Sequence, residues 1–231
     1  MPQISSWENE YQDSKLVTKN SEPQNDTLRF FKYLKKEAKL ELENLNILDL
    51  GCGTGRNSNY LANLGNKAVG LEISETALKI AKSRARELGI EKNVKYLNLS
   101  IGAKYPLEDN FFDIALDVTS SNSLNEKERE IYLQEVSRVL KTGGYFFVRG
   151  LCKDGDKNAK NLLKLSPGRE YDTYIMKEMG LTERVFTEID FRKMYSQYFK
   201  IKKLEKKSGY AKFQGRNYKR NYWIAYLQKE N

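Results

Sequence analysis

Ile47-Leu-Asp-Leu-Gly-Cys-Gly-Thr-Gly55 joins a short apolar run to a turn dense in glycine, with a helical pattern directly behind it. A run that is apolar on both faces and stops at glycines is the way a buried parallel strand hands over to its crossover helix. Outward from this stretch the alternation repeats. Asn46 to Leu50 reads as strand, Thr54 to Leu64 as a helix stopped by Gly65, and Ala68 to Ile73 as a second strand. Glu75 to Leu88 is a second helix, capped by Ser74 and ended by Gly89. Val94 to Leu99 and Phe112 to Val118 continue the strands. The helix over Glu126 to Leu140 puts Tyr132, Val136, Val139 and Leu140 on one face, and Gly143 and Gly144 turn the chain into a fifth strand, Tyr145 to Arg149. Strands alternating with helices predict an α/β fold on a mostly parallel sheet.

Towards the C-terminus the pattern changes. Thr187, with Asp190 three residues on, opens a helix as a variant of the capping box. Two strand-like runs follow, Phe199 to Lys206 and Asn221 to Gln228, the second alternating Tyr222, Ile224 and Tyr226 against Trp223, Ala225 and Leu227. They predict an antiparallel pair joined by a long basic loop. Residues 1–40, with a helix at Thr27 to Lys39 behind Asp26, and residues 151–186 fall outside the regular pattern. In an open α/β sheet ligands bind beyond the carboxyl ends of the strands, and irregular segments there act as lids. The 231 residues suit one domain. Its parts are an N-terminal lid over 1–40, a core over 45–150, a specificity segment over 151–186, and a C-terminal helix and hairpin over 187–231.

The glycine turn carries the chemistry. Without Cβ atoms, Gly51 and Gly53 let the backbone bend sharply and let a ligand lie against bare main chain. The spacing is G-x-G-x-G with Arg56 in the sixth place, so the dinucleotide fingerprint is not met, and the Gly-Lys-Ser/Thr of a phosphate loop is missing. Asp49, two residues before the first glycine, favours a ligand with positive charge, such as the sulfonium and ammonium of S-adenosylmethionine. Glu72 lies roughly twenty residues beyond the loop, where folds of this type hold ribose hydroxyls, and Ile73 is placed to pack on an adenine face.

These stretches resemble the class I S-adenosylmethionine-dependent methyltransferases. LDLGCGTG corresponds to their motif I, VGLEIS to their acidic-loop motif, and LEDNFFDIALDVTSSNSLNEKEREIYLQEVSRVLKTGGYFFVR to their strand-four to strand-five segment, covering about residues 45–150. The resemblance implies a Rossmann-like, doubly wound, mostly parallel seven-stranded sheet ending in an antiparallel pair. It implies that Gly51, Cys52, Gly53 and Arg56 border the cofactor, that Glu72 holds the ribose, and that Asp117 lies near the methionine part. Where the family carries an Asp after strand three this chain has Leu99-Ser-Ile-Gly102, so adenine contact passes to the Ser100 hydroxyl or the Ile101 backbone. Gly55-Arg-Asn-Ser58 and Trp7…Tyr11 extend the resemblance to the small-molecule branch that includes thiopurine and tellurite-resistance methyltransferases, whose N-terminal segment covers the cofactor.

Composition narrows the chemistry further. Histidine is absent, which removes the commonest general base and metal ligand, and no metal is expected. A soft acceptor needs no base, since the protein's main task in methyl transfer is to hold acceptor and methyl in line. The expected acceptor is a small molecule, with S-adenosylhomocysteine as product. The alternative is an RNA or protein acceptor: of the net charge of +9, residues 200–231 carry ten Lys and Arg against Glu205 and Glu230, interleaved with aromatics. Tyr11, Asp117, Tyr171 and Tyr174 are the catalytic candidates, and Arg56 and Arg149 join the tyrosines as lid or acceptor contacts. Cys52 and Cys152 are expected as free thiols, with Cys52 a small packing residue. No apolar run approaches the roughly 20 residues of a membrane span. The polar N-terminal stretch predicts a cytoplasmic protein, monomeric or homodimeric.

Overall fold

The computed structural model describes residues 3–14, 20–213 and 215–230. Two helices come first, α1 (Ile4–Gln12) and α2 (Asn25–Lys36), then β1 (Asn46–Leu50), α3 (Arg56–Asn63), β2 (Lys67–Glu72), α4 (Glu75–Glu87), β3 (Val94–Asn98) and β4 (Phe112–Val118). A 3₁₀ turn at Ser121–Ser123 leads to α5 (Glu126–Val139) and β5 (Leu140–Leu151). The remainder is α6 (Lys157–Leu165), β6 (Thr173–Met176), β7 (Leu181–Arg184), α7 (Glu188–Tyr195), β8 (Lys200–Phe213) and β9 (Arg216–Gln228).

The strands form one seven-stranded sheet in the order β3-β2-β1-β4-β5-β9-β8, with β6 and β7 as a separate antiparallel pair. β1 to β5 pair in parallel, and β9 runs antiparallel to both β5 and β8. Strand periodicity divides the core in two. Leu48, Ala115, Phe146, Val148, Trp223, Ala225 and Leu227 pack on one face with Tyr132 and Val136 of α5 and Phe191 and Tyr195 of α7. Their neighbours Ile47, Ile114, Leu116, Phe147, Ile224 and Tyr226 pack on the other with Phe30, Phe31 and Leu34 of α2 and Leu61 of α3. Consecutive residues therefore serve opposite layers, which is why these strands read as continuous apolar runs.

Several local expectations are corrected. α3 begins at Arg56 rather than Thr54, because Gly55 takes a left-handed φ of +74° at the cap. α2 is capped by Gln24, whose side chain accepts from the amides of Asp26 and Thr27, so Asp26 is a first-turn residue and not the cap, and the helix ends at Lys36. Gly143 and Gly144 do not precede the fifth strand. Strand pairing starts at Leu140, and the two glycines lie in an irregularity between the Phe112↔Leu140 and Ile114↔Tyr145 pairs. The long basic loop is replaced by paired strand: β8 and β9 stay in register from Lys207↔Tyr222 to Phe213↔Arg216, with Gly215 at φ +77° in the turn. The side-chain alternation seen in Tyr222 to Gln228 continues back through Tyr218 and Arg220, so the chain had the strand period there too. Residues 151–186 are not irregular throughout either, since α6, β6 and β7 lie within them. Among the described residues no helix is long and apolar enough to cross a membrane.

Candidate functional site

Beyond the carboxyl ends of the parallel strands lies a cavity of about 800 Å³. Its floor is the turn after β1, the Glu72–Ile73 step after β2, Leu99 to Ile101 after β3, Val118 to Ser120 after β4 and Arg149 at the end of β5. This is where an open α/β sheet offers a crevice, because neighbouring strand ends diverge there.

α1 roofs one end of the cavity and is tied down at three places. Glu8 accepts from the Ser74 hydroxyl at 2.6 Å, the Thr76 amide at 3.3 Å and the Thr76 hydroxyl. Gln3 donates to the Ser123 and Thr182 carbonyls at 2.7 and 2.8 Å, and Ser6 donates to the Gly180 carbonyl at 3.1 Å. So anchored, α1 presents Trp7 and Tyr11 to the cavity. A Cβ built on Gly53, at φ +54°, would meet the Tyr11 hydroxyl at 2.5 Å. Burial, followed by the nearby Glu72 charge, pushes the Tyr11 phenol well above its ordinary range, so it stands as a neutral hydrogen-bond donor and not as a base.

The glycine turn is held from both sides by carboxylates. Glu72 accepts from the Gly53 amide through Oε2 and from the Ile73 and Ser74 amides through Oε1, each at 2.9 Å. Two oxygens offer about four acceptor positions, so one site remains on Oε2 for a ligand hydroxyl. Burial raises the Glu72 carboxyl even though these three amides pull it down. Asp49 lies beneath the turn and accepts from the Ser58 hydroxyl at 2.5 Å. Burial pushes it up to about 6, against the Ser58 bond and the Arg56 charge. Asp117 accepts from the Ser120 amide at 2.8 Å and the Tyr132 hydroxyl at 2.6 Å. Both aspartates brace the loops from inside the core and neither borders the cavity.

The other sequence-derived candidates separate in space. Gly51, Cys52, Gly53, Arg56, Glu72, Ile73, Ser100, Ile101, Tyr11 and Arg149 converge on the cavity. The Ile101 carbonyl is engaged by the Tyr105 hydroxyl at 2.7 Å, and the Ser100 hydroxyl accepts from the Gly102 amide at 3.1 Å. Tyr171 stands apart, exposed at the surface with Lys153 over its ring. Tyr174 is buried behind the wall, its hydroxyl donating to Glu183 at 2.7 Å and accepting from Arg220 at 2.8 Å. Both thiols are free. Burial raises Cys52 far above its usual range and Cys152 to about 12, so neither is a thiolate nucleophile.

The opposite wall comes from the outer part of the C-terminal hairpin, where the sequence predicted the basic loop between the two strands. Tyr210, Phe213, Tyr218, Arg220 and Tyr222 line the cavity, together with Leu151 and, from the 151–186 segment, Leu162, Ile175 and Glu183. The guanidinium of Arg149 lies 3.5 Å from the centroid of the Tyr222 ring. Asp156 anchors this wall: it caps α6 through the Ala159 amide at 2.8 Å and accepts from the Asn221 amide at 2.7 Å and Arg220 Nε at 3.2 Å.

An adenosine with a methionine-like tail suits one end of this cavity. The turn is open main chain where a Cβ would collide with Tyr11, the free position on Glu72 Oε2 meets a hydroxyl, and Ile73, Leu99 and Ile101 supply apolar contact. Comparison with known proteins agrees with the geometry. Residues 41–180 match the Methyltransferase domain family. A sterol 4-C-methyltransferase of Caenorhabditis elegans is 35% identical over 136 residues, covering 58% of this chain and 40% of that protein. The chain spans between two-fifths and one-half of the length of the curated relatives it matches first. An S-adenosylmethionine-dependent methyltransferase of Methanosarcina mazei superposes with a TM-score of 0.73 at 22% identity, over 90% of this chain and 99% of that one. The 1,6-didemethyltoxoflavin-N1-methyltransferase of Burkholderia thailandensis, solved with S-adenosylhomocysteine, superposes with a TM-score of 0.70 at 17% identity, over 99% of this chain and 87% of that one. With the sheet order, the glycine turn and the family match in agreement, the chain belongs to the methyltransferase-domain family of class I S-adenosylmethionine-dependent methyltransferases.

Proposed function

We propose that this chain transfers a methyl group from S-adenosylmethionine to a small-molecule acceptor enclosed between the glycine turn and the C-terminal hairpin. The observation that carries this reading is the cavity itself, about 800 Å³, roofed by α1 at one end and bordered at the other by aromatics of β8 and β9. A volume of that order holds a nucleoside and one further small molecule. Of the hairpin aromatics that would stack on RNA bases in the alternative, Tyr222 is buried against this chamber, while Tyr210 and Tyr218 border it with exposed rings. The sterol methyltransferase relative is named for a small-molecule acceptor.

When bound, the cofactor supplies a methyl carbon already activated by a sulfonium. The protein's own contribution is then position and exclusion of water. Gly51 and Gly53 give the close approach, Glu72 receives a ribose hydroxyl while holding the turn, and Ser100 and Ile101 border the adenine. Tyr11 stays neutral and offers its hydroxyl as a hydrogen-bond donor over the turn, and α1 roofs the cofactor end. No imidazole is present in the chain, so proton removal falls to the acceptor's own acidity, or to a cavity carboxylate such as Glu183.

Calorimetric titration with S-adenosylmethionine and S-adenosylhomocysteine, followed by methyl transfer to thiols, phenols, amines and total RNA, tests this. Micromolar cofactor binding with turnover on a small molecule is expected. Absence of binding for both cofactors, or turnover on RNA alone, overturns it.

A further inference from the structure

The hairpin end of the cavity is basic as well as aromatic. Arg149 reaches it from the end of β5, stacked on Tyr222, and its Nε donates to Asp26 Oδ2 at 3.3 Å. The same buried carboxylate accepts from Lys207 and faces Arg29 at 3.7 Å. One aspartate is thus shared by three cations, of which Arg149 alone lines the cavity. Arg56 lies on the glycine-turn side: burial first, with Arg149 among the charges around it, lowers its guanidinium below the usual range. Asp49 is the compensating charge nearest to Arg56, and it sits below the floor.

The Asp26 contact fixes the orientation of Arg149. With Nε turned to Asp26 and one face on Tyr222, the two terminal nitrogens form a single edge, and among the described residues no hydrogen bond or ion pair engages them. Two parallel N–H donors match the two oxygens of a carboxylate, and the guanidinium is always charged. The nearby wall suits a flat apolar body, with the rings of Phe213, Tyr218 and Tyr222 and the side chain of Leu151. The Arg149 charge is met by Asp26, and it is the hydrogen-bonding capacity of the two terminal nitrogens that a neutral acceptor would leave unused.

We infer that the methyl acceptor is an aromatic carboxylate, its carboxylate on the terminal nitrogens of Arg149 and its ring among Phe213, Tyr218 and Tyr222. This rests on the methyl-transfer reading above and adds the acceptor's class to it. Asp26 and Lys207 are positioning residues in this arrangement, since they hold Arg149 and the hairpin without touching the ligand.

The test uses the full chain saturated with S-adenosylhomocysteine, titrated with salicylate, cinnamate and indoleacetate, each beside its carboxamide. At least one carboxylate is expected to bind about tenfold or more tightly than its amide, the scale of a charge-assisted bidentate contact. Arg149→Gln should erase that preference and Arg149→Lys should keep part of it, while both retain the wild-type affinity for S-adenosylhomocysteine. The inference is overturned if no carboxylate outbinds its amide, if Arg149→Gln keeps the preference, or if that variant weakens S-adenosylhomocysteine about tenfold, which would assign Arg149 to the cofactor. Should Arg149→Gln fail to fold, the wild-type comparison of acid with amide decides alone. Failure to bind S-adenosylhomocysteine at the outset strikes the methyl-transfer reading instead, so the two failures are distinct.

Discussion

The Tyr11 hydroxyl hangs over Gly53 at a distance that leaves no room for a Cβ, 2.5 Å from where one would stand. The roof helix and the glycine turn are therefore fitted to each other across the cofactor end of the cavity. Gly53→Ala forces the left-handed φ of +54° on a side-chain-bearing residue and drives its methyl into Tyr11. We expect S-adenosylhomocysteine affinity to fall about tenfold or more, from roughly 1–2 kcal/mol of backbone strain with the steric term added. In the double variant with Tyr11→Ala part of that loss should return. Calorimetry on the two variants checks it, and an additive result would mean that the two residues do not meet.

Glu8 is the pin of the roof. Desolvation pushes its carboxyl up, but the hydrogen bonds from Ser74, Thr76 and Gln12 together outweigh it and hold the group at about 2. A carboxyl depressed on folding contributes stability that is present above its unfolded value, about 4.3, and lost as pH falls towards the folded value. Glu8→Gln should therefore speed amide hydrogen exchange in residues 4–12 at pH 7. The difference in melting temperature between this variant and the wild type should shrink as pH is lowered from 6 to 3. A difference that stays constant would sever the link to ionisation.

Asp49 titrates in the opposite sense. Its folded value of about 6 lies above the ordinary carboxylate range, so the group favours folding below its unfolded value and that advantage is lost as pH rises through 6. Asp49→Asn keeps an acceptor for Ser58 and removes the buried charge. Relative to wild type its melting temperature should rise between pH 5 and pH 8. A flat difference would show that Asp49 is already ionised at pH 5.

Asp156 holds three donors at once, the Ala159 and Asn221 amides and Arg220 Nε. Asp156→Ala removes the α6 cap and leaves a buried arginine without its carboxylate. Denaturant unfolding should register a loss of about 3 kcal/mol, the scale for breaking one side of a buried pair. A loss below about 1 kcal/mol would place Asp156 among surface ion pairs, which contribute little.

The core of the fold was legible because its signals are local. The five parallel strands fall where apolar runs stop at turn residues, Ser74 accepts from the Ala77 amide as a cap should, and Thr187 does the same for Asp190. Gly51, Cys52, Gly53 and Glu72 were placed on the cavity by a spacing within one βαβ unit. Asp49, Asp117, Tyr171 and Tyr174 lie off the cavity wall for reasons no local pattern carries. Asp49 and Asp117 occupy strand positions next to the site, but a strand's period does not say whether an acidic side chain turns up into the crevice or down into the core, and here Ser58 and Tyr132 receive them below the floor. Tyr171 and Tyr174 sit in a segment whose path no local pattern specifies, and one ends at the surface and the other behind the wall.

What the sequence by itself determined is the α/β order, the glycine turn and the acidic residue that serves it, because caps, turns and periodicity act within a few residues of one another. What only the tertiary structure decided is the chamber. Trp7 and Tyr11 come from one end of the chain, Arg149 from the middle, and Tyr218 and Tyr222 from the other end, and they face a common space through contacts such as Glu8 with Ser74 and Asp26 with Lys207. Those contacts span long stretches of chain, and the free energy that selects them arises from burial and charge pairing between elements that are already formed.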